Sequence, residues 1–147
     1  MALIFVDVEA NGPSVSTGCM TEFGAVEYES KASFYGRDDT AETMSAFRNW
    51  LTQFSHVIFV SDNVAFDWQW INDAFHKHLG VNPFGHSGRR ISDYYAGLMG
   101  NFRRTQDWKR WRITPHDHNP VNDAMGNVEA FGRIQEELAH HHSSKGH

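Results

Sequence analysis

The sequence predicts a mixed α/β fold. Short apolar, β-branched runs at Leu3–Glu9 and Val57–Val60 alternate with longer stretches whose apolar residues recur at helical spacing. Reading these runs in order gives β-β-β-α-β-α-β-α, the pattern of a sheet flanked by helices. With 147 residues, 40% of them hydrophobic, the chain has enough apolar material for one core, expected over residues 1–139.

The first strand, Leu3–Glu9, is apolar to Val6 and then carries Asp7 and Glu9 two positions apart. Side chains alternate faces along a strand, so the two carboxylates point the same way and repel unless a cation or proton neutralises them. Ala10-Asn11-Gly12-Pro13-Ser14 is a turn by composition, and an exposed loop follows to about Gly18. Met20–Tyr28 and Lys31–Gly36 read as the second and third strands, joined as a hairpin. Asp38, Asp39 and Thr40 offer caps for a helix whose stripe is Met44, Phe47, Leu51 and Phe54, with Trp50 beside it. Val57–Val60 suits a buried parallel strand. Ser61-Asp62-Asn63 then caps a second helix over Val64–Leu79, expected to bury Val64, Trp68, Ile71, Phe75 and Leu79 and to stop at Gly80. Arg89–Asp93 reads as a last short strand and Tyr94–Met99 as a small helix. Residues 100–117 are basic and Trp-rich, with weak periodicity. In the final helix Asn119 is the N-cap, Pro120 takes the first position, and Val121, Met125, Val128, Phe131, Ile134 and Leu138 form the stripe. The polar segment 140–147 is expected to be disordered.

Composition narrows the function classes. A single cysteine, Cys19, excludes an intramolecular disulfide and fits a reducing compartment, the cytosol. The N-terminal apolar run is too short for a signal peptide, and no stretch reaches membrane-spanning length, so no membrane partner is expected. The net charge of −5 argues against binding a polyanion through overall charge. Seven of the 13 Lys and Arg residues nevertheless fall between Arg89 and Arg112, among them Arg103, Arg104 and Arg110. That segment is either a solvated surface or a local nucleic-acid contact. Trp108 and Trp111 within it either stack on bases or pack in the core.

Two further acids join the pair on the first strand. Asp67 lies in the first turn of the second helix, where an acid is favoured by the helix dipole alone. If the strands at Val6 and Phe59 are parallel neighbours, however, Asp67 comes close to Asp7 and Glu9. His118 precedes the Asn119 cap and Asp123 is the fourth helical position, a spacing that makes their side chains neighbours. Carboxylate oxygens suit Mg²⁺ or Mn²⁺, and four acids suffice for two ions. An imidazole titrating near neutrality suits a general base. His116-Asp117-His118 lacks the regularly spaced soft ligands of a structural zinc site.

Asp7-Val-Glu9 ending the first strand, Asn63-Val-Ala-Phe-Asp67 after the fourth, and His118-Asn-Pro-Val-Asn-Asp123 opening the last helix resemble the DEDDh family of 3′→5′ exonucleases. Glu22-Phe23-Gly24-Ala25-Val26 resembles that family's second strand, and the similarity runs over about residues 3–135. The resemblance implies a ribonuclease H-like fold, a five-stranded mixed sheet flanked by helices. It implies Asp7, Glu9, Asp67 and Asp123 as ligands of two Mg²⁺ or Mn²⁺ ions and His118 as general base. It implies that Ala10 and Asn11 lie near the terminal sugar, and it draws Asn63, Arg103, Arg104, Trp108 and Arg110 into substrate binding. The expected reaction releases nucleoside monophosphates from the 3′ end of single-stranded RNA or DNA, RNA somewhat preferred. Family analogy admits a homodimer. The competing reading is a non-catalytic nucleic-acid-binding module on the same fold.

Overall fold

A computed structural model describes residues 1–139; the tail expected from His140 onward lies outside them. Five strands form one mixed sheet in the order β3-β2-β1-β4-β5. They are β1 (Ala2–Ala10), β2 (Met20–Glu27), β3 (Ser33–Arg37), β4 (Val57–Ser61) and β5 (Gly88–Arg90). β1 pairs antiparallel with β2 and parallel with β4, as its central, apolar character demands. The helices are α1 (Ala41–Leu51), α2 (Val64–Leu79), α3 (Ile91–Met99) and α4 (Pro120–Ile134). A 3₁₀ turn at Asp107–Trp111 and a π-type turn at Gln135–Ala139 complete the chain. No helix among the described residues is long and apolar enough to cross a membrane.

The alternation along β1 divides the core. Ile4, Val6 and Val8 face one layer with Phe23, Met44, Phe47, Ile71 and Phe75, under α1 and α2. Phe5 faces the other, with Val26, Ile91, Tyr95, Trp108, Val128 and Phe131, under α3 and α4. Asp7 and Glu9 share the parity of Phe5, so they emerge on the α4 side of the sheet.

Most expected elements are present, with bounds adjusted by local hydrogen bonding. α1 stops at Leu51, where the Thr52 N–H turns back to Asn49 O, and Phe54 packs from beyond the helix end. Thr40 is its cap, accepting from the Thr43 N–H at 3.1 Å. The last strand is shorter than expected, because Ile91–Asp93 belong to α3 and not to β5. Asp93 thereby lies in a first helical turn, 3.6 Å from Arg90. In α2 the buried positions are Asp67, Trp70, Ile71, Ala74 and Phe75, whereas Val64, Trp68 and Leu79 are only partly covered.

One glycine decides where α4 sits. Gly24 on β2 is the cross-strand partner of Asp7. A Cβ at Gly24 would lie 2.4 Å from Val121 N and 2.5 Å from Pro120 C. The bare backbone therefore lets the first turn of α4 come down onto the sheet beside Asp7. Asn119 holds that turn from its open end, its Oδ1 accepting the Val121 N–H at 3.0 Å. Gly24→Ala must push backbone against backbone and is expected to cost about 2 kcal/mol or more. Urea unfolding measures it; a loss below about 0.5 kcal/mol, the range of neutral surface changes, would show that α4 retreats freely.

Candidate active site

The first turns of α2 and α4 and the end of β1 meet at one cleft. It measures about 310 Å³ and is lined by Asp7, Val8, Glu9, Asp62, Asn63, Phe66, Asp67, His116 and His118. Carboxylate oxygens of Asp7, Glu9 and Asp123 lie within 4.8 Å of one another. Asp67 reaches the same place from α2: its Oδ1 accepts the Val8 N–H of β1 at 2.9 Å. The expected parallel pairing of β1 and β4 brings it there.

The electrostatics are those of crowded acids out of water. Asp123 is buried, and among the described residues neither of its carboxylate oxygens has a hydrogen-bond partner; Asp7 Oδ2 lacks one likewise. Burial first, then the charges of Asp67, Asp123 and Glu9, push the Asp7 carboxyl up to about 9. Burial pushes Asp67 up to about 7 against the opposing hydrogen bond from Val8. Glu9 is raised by partial burial and by Asp123. Groups so arranged fit a divalent cation: hard oxygen donors, unsatisfied and aimed at a common point.

The imidazoles are arranged differently from the expectation. His118 lines the cleft, but the ring beside Asp123 belongs to His116, whose Nδ1 is 2.9 Å from Asp123 Oδ1 at an angle that forms no hydrogen bond. The two rings pack edge to face with centroids 4.7 Å apart. His118 adopts φ 64°, in the left-handed region, just before the cap. Asp117 takes the local role, accepting from Asn119 N at 3.0 Å and Asn122 Nδ2 at 2.9 Å.

Of the expected substrate contacts, Asn63 lines the cleft; it stands at the N-cap of α2 without a side-chain capping bond. Ala10 and Asn11 continue from β1, and Asn11 Oδ1 is occupied by the Cys19 N–H at 2.6 Å. Trp108 is a core residue. It is fully buried, and its indole N–H donates to Thr105 O at 2.9 Å and Ser92 Oγ at 3.1 Å, so base stacking is closed to it. Arg103, Arg104 and Arg110 are not among the cleft-lining residues. Arg104 pairs with Asp107, while Arg110 lies over the Trp111 ring at 4.9 Å. The basic segment reaches the cleft through two members of the run not expected to touch it. Lys109 pairs with Asp62 at 2.9 Å, and Arg112 approaches Asp123 Oδ1 at 3.7 Å.

The fold has counterparts among solved structures. The nuclease domain of 3′hExo, a DEDDh family member bound to rAMP, superposes with a TM-score of 0.73 over 92% of each chain, at 11% identity. The chain has the DEDDh exonuclease fold. Exonuclease I of E. coli, in complex with a 5cy-dT13 oligonucleotide, matches 95% of this chain and 41% of its own, with a TM-score of 0.69 and 12% identity. In sequence, the 3′-5′ DNA exonuclease Cap18 of Escherichia coli is 32% identical over 105 residues, 65% of this chain. The match spans 56% of that protein's length. No family model matches the chain.

The crowding of these acids carries a stability consequence. Between the ordinary Asp value of 3.8 and about 9, folded Asp7 keeps a proton that the unfolded chain releases. The native state then binds more protons, so stability falls as pH rises through this window. In EDTA the melting temperature is expected to drop from pH 5 to pH 9, and Asp7→Asn to flatten the slope. A wild-type melting temperature that held constant or rose would contradict the crowded-acid description.

Proposed function

We propose that the chain is a divalent-metal-dependent 3′→5′ exonuclease acting on single-stranded ends. The observation carrying this reading is the convergence of Asp7, Glu9 and Asp123 within 4.8 Å, with buried oxygens left unpartnered and a histidine-lined opening above them. Asp7, Glu9 and Asp123 would hold the ions, with Asp67 beside them, one of its oxygens committed to Val8. Two bound Mg²⁺ or Mn²⁺ ions would supply Lewis-acid activation of the attacking water and neutralise charge on the phosphodiester.

The protein's own groups do the rest. His118 takes a proton from the attacking water. The water oxygen bonds to phosphorus as the bond to the penultimate nucleotide's 3′ oxygen breaks; that oxygen takes a proton from solvent, giving a nucleoside 5′-monophosphate and a new 3′ hydroxyl. Asn63 and the Ala10–Asn11 backbone border the position of the terminal nucleotide. Arg103 and Arg110, exposed on the basic segment, are suited to phosphates further along the strand.

On the sugar, similarity favours DNA. The 32% identical relative is named a DNA exonuclease, and the expected preference for RNA has no comparable support. Digestion of matched 5′-labelled DNA and RNA strands, with free or blocked 3′ hydroxyls, tests this reading. A Mn²⁺-dependent ladder shortening from free 3′ ends is expected, faster on DNA. Binding without cleavage would instead favour a nucleic-acid-binding module. Asp7→Ala is expected to abolish product release. His118→Asn, which tolerates the left-handed backbone, is expected to slow it about 10²–10⁴-fold while sparing metal uptake.

A further inference from the structure

We propose that Arg112 is a resident counter-charge for the acidic cluster, acting on Asp123. The inference rests on the reading that Asp7, Glu9 and Asp123 hold divalent cations. Arg112 lies just past the 3₁₀ turn with its side chain only 15% exposed, close to the buried Asp123. Its Nη2 donates to the Asp123 carbonyl oxygen at 3.0 Å and stands 3.7 Å from Oδ1 of the same residue. One guanidinium thus holds the backbone and faces the carboxylate of a single residue.

Room for it is made on α4. Gly126 lies three residues beyond Asp123, on the same helical face. A Cβ there would fall 2.7 Å from Arg112 Nε and 3.1 Å from Nη2. A mid-helix glycine is otherwise less stable than alanine. Here the missing side chain is the groove in which the guanidinium lies.

The charge has two opposite consequences. Without a divalent ion, the permanently positive guanidinium offsets the mutual repulsion of the carboxylates. Once an ion is bound, like charges face each other across Asp123, and binding is weaker than the carboxylates alone would give. An arginine serving only to hold the fold would leave metal affinity untouched.

Mn²⁺ binding to the nucleic-acid-free protein, measured by titration calorimetry alongside melting in EDTA, separates these roles. Arg112→Gln is expected to lower the EDTA melting temperature and tighten Mn²⁺ binding about tenfold. Arg112→Lys retains the charge and is expected to bind Mn²⁺ close to the wild type. Gly126→Ala displaces the guanidinium from α4's side and is expected to tighten binding in the same direction. It also decides the matter if Arg112→Gln does not fold. Wild-type or weaker Mn²⁺ affinity in the neutral and Gly126→Ala variants would overturn the proposal. Failure of the wild type to take up Mn²⁺ would instead remove the metal reading itself, and the counter-charge with it.

Discussion

The descent of α4 onto the sheet at Gly24 governs the rest of the molecule. Because Gly24 faces Asp7 across the β1–β2 ladder, the helix start lands beside a carboxylate and brings Asp123 with it. The apolar layer under α3 and α4 enforces the approach, since Phe5, Val128 and Phe131 must close over one another. Hydrophobic burial along the helix thus drives acids together that would separate if free to do so. The fold tolerates this through local concessions: an amide of β1 for Asp67, and a guanidinium and an imidazole beside Asp123.

Legibility in the sequence followed the range of the interaction. The period of two on β1 put Asp7 and Glu9 on one face, and Asn119-Pro120 fixed the start of α4, because both signals are written in neighbouring residues. Asp67 was readable as soon as two buried strands were taken as parallel neighbours. The segment 100–117 was opaque for the opposite reason. Its conformation is set by partners far away in the chain: Lys109 on Asp62, Arg112 on Asp123, and Thr114, whose N–H and hydroxyl donate to Glu129. No periodicity announces such contacts, so Trp108 could not be assigned to the core from sequence. His116 was missed similarly: His118, with its positive φ, intervenes before the helix, and only the folded path reveals which imidazole stands against Asp123.

The basic segment also behaves differently from its composition. Its charges do not form an uninterrupted positive face, because Arg104, Lys109 and Arg112 are each spent on an acid of the same chain. Two of those acids, Asp62 and Asp123, belong to the cleft region. Asp62 also receives the Ser92 hydroxyl, and its carbonyl takes the Arg90 guanidinium, so β5, α3 and the 3₁₀ turn are fastened together at the cleft's rim. The rim is a product of ion pairing within the molecule, while the sheet beneath it is a product of apolar packing.

The order in which the acids occur along the polypeptide has a consequence for biosynthesis. Translation delivers Asp7 and Glu9 first, Asp67 some sixty residues later, and Asp123 only with the last long helix. A nascent chain halted before α4 contains the sheet strands but lacks the residue that closes the cluster. Until that helix is made, Asp7, Glu9 and Asp67 stand without the fourth acid that crowds them.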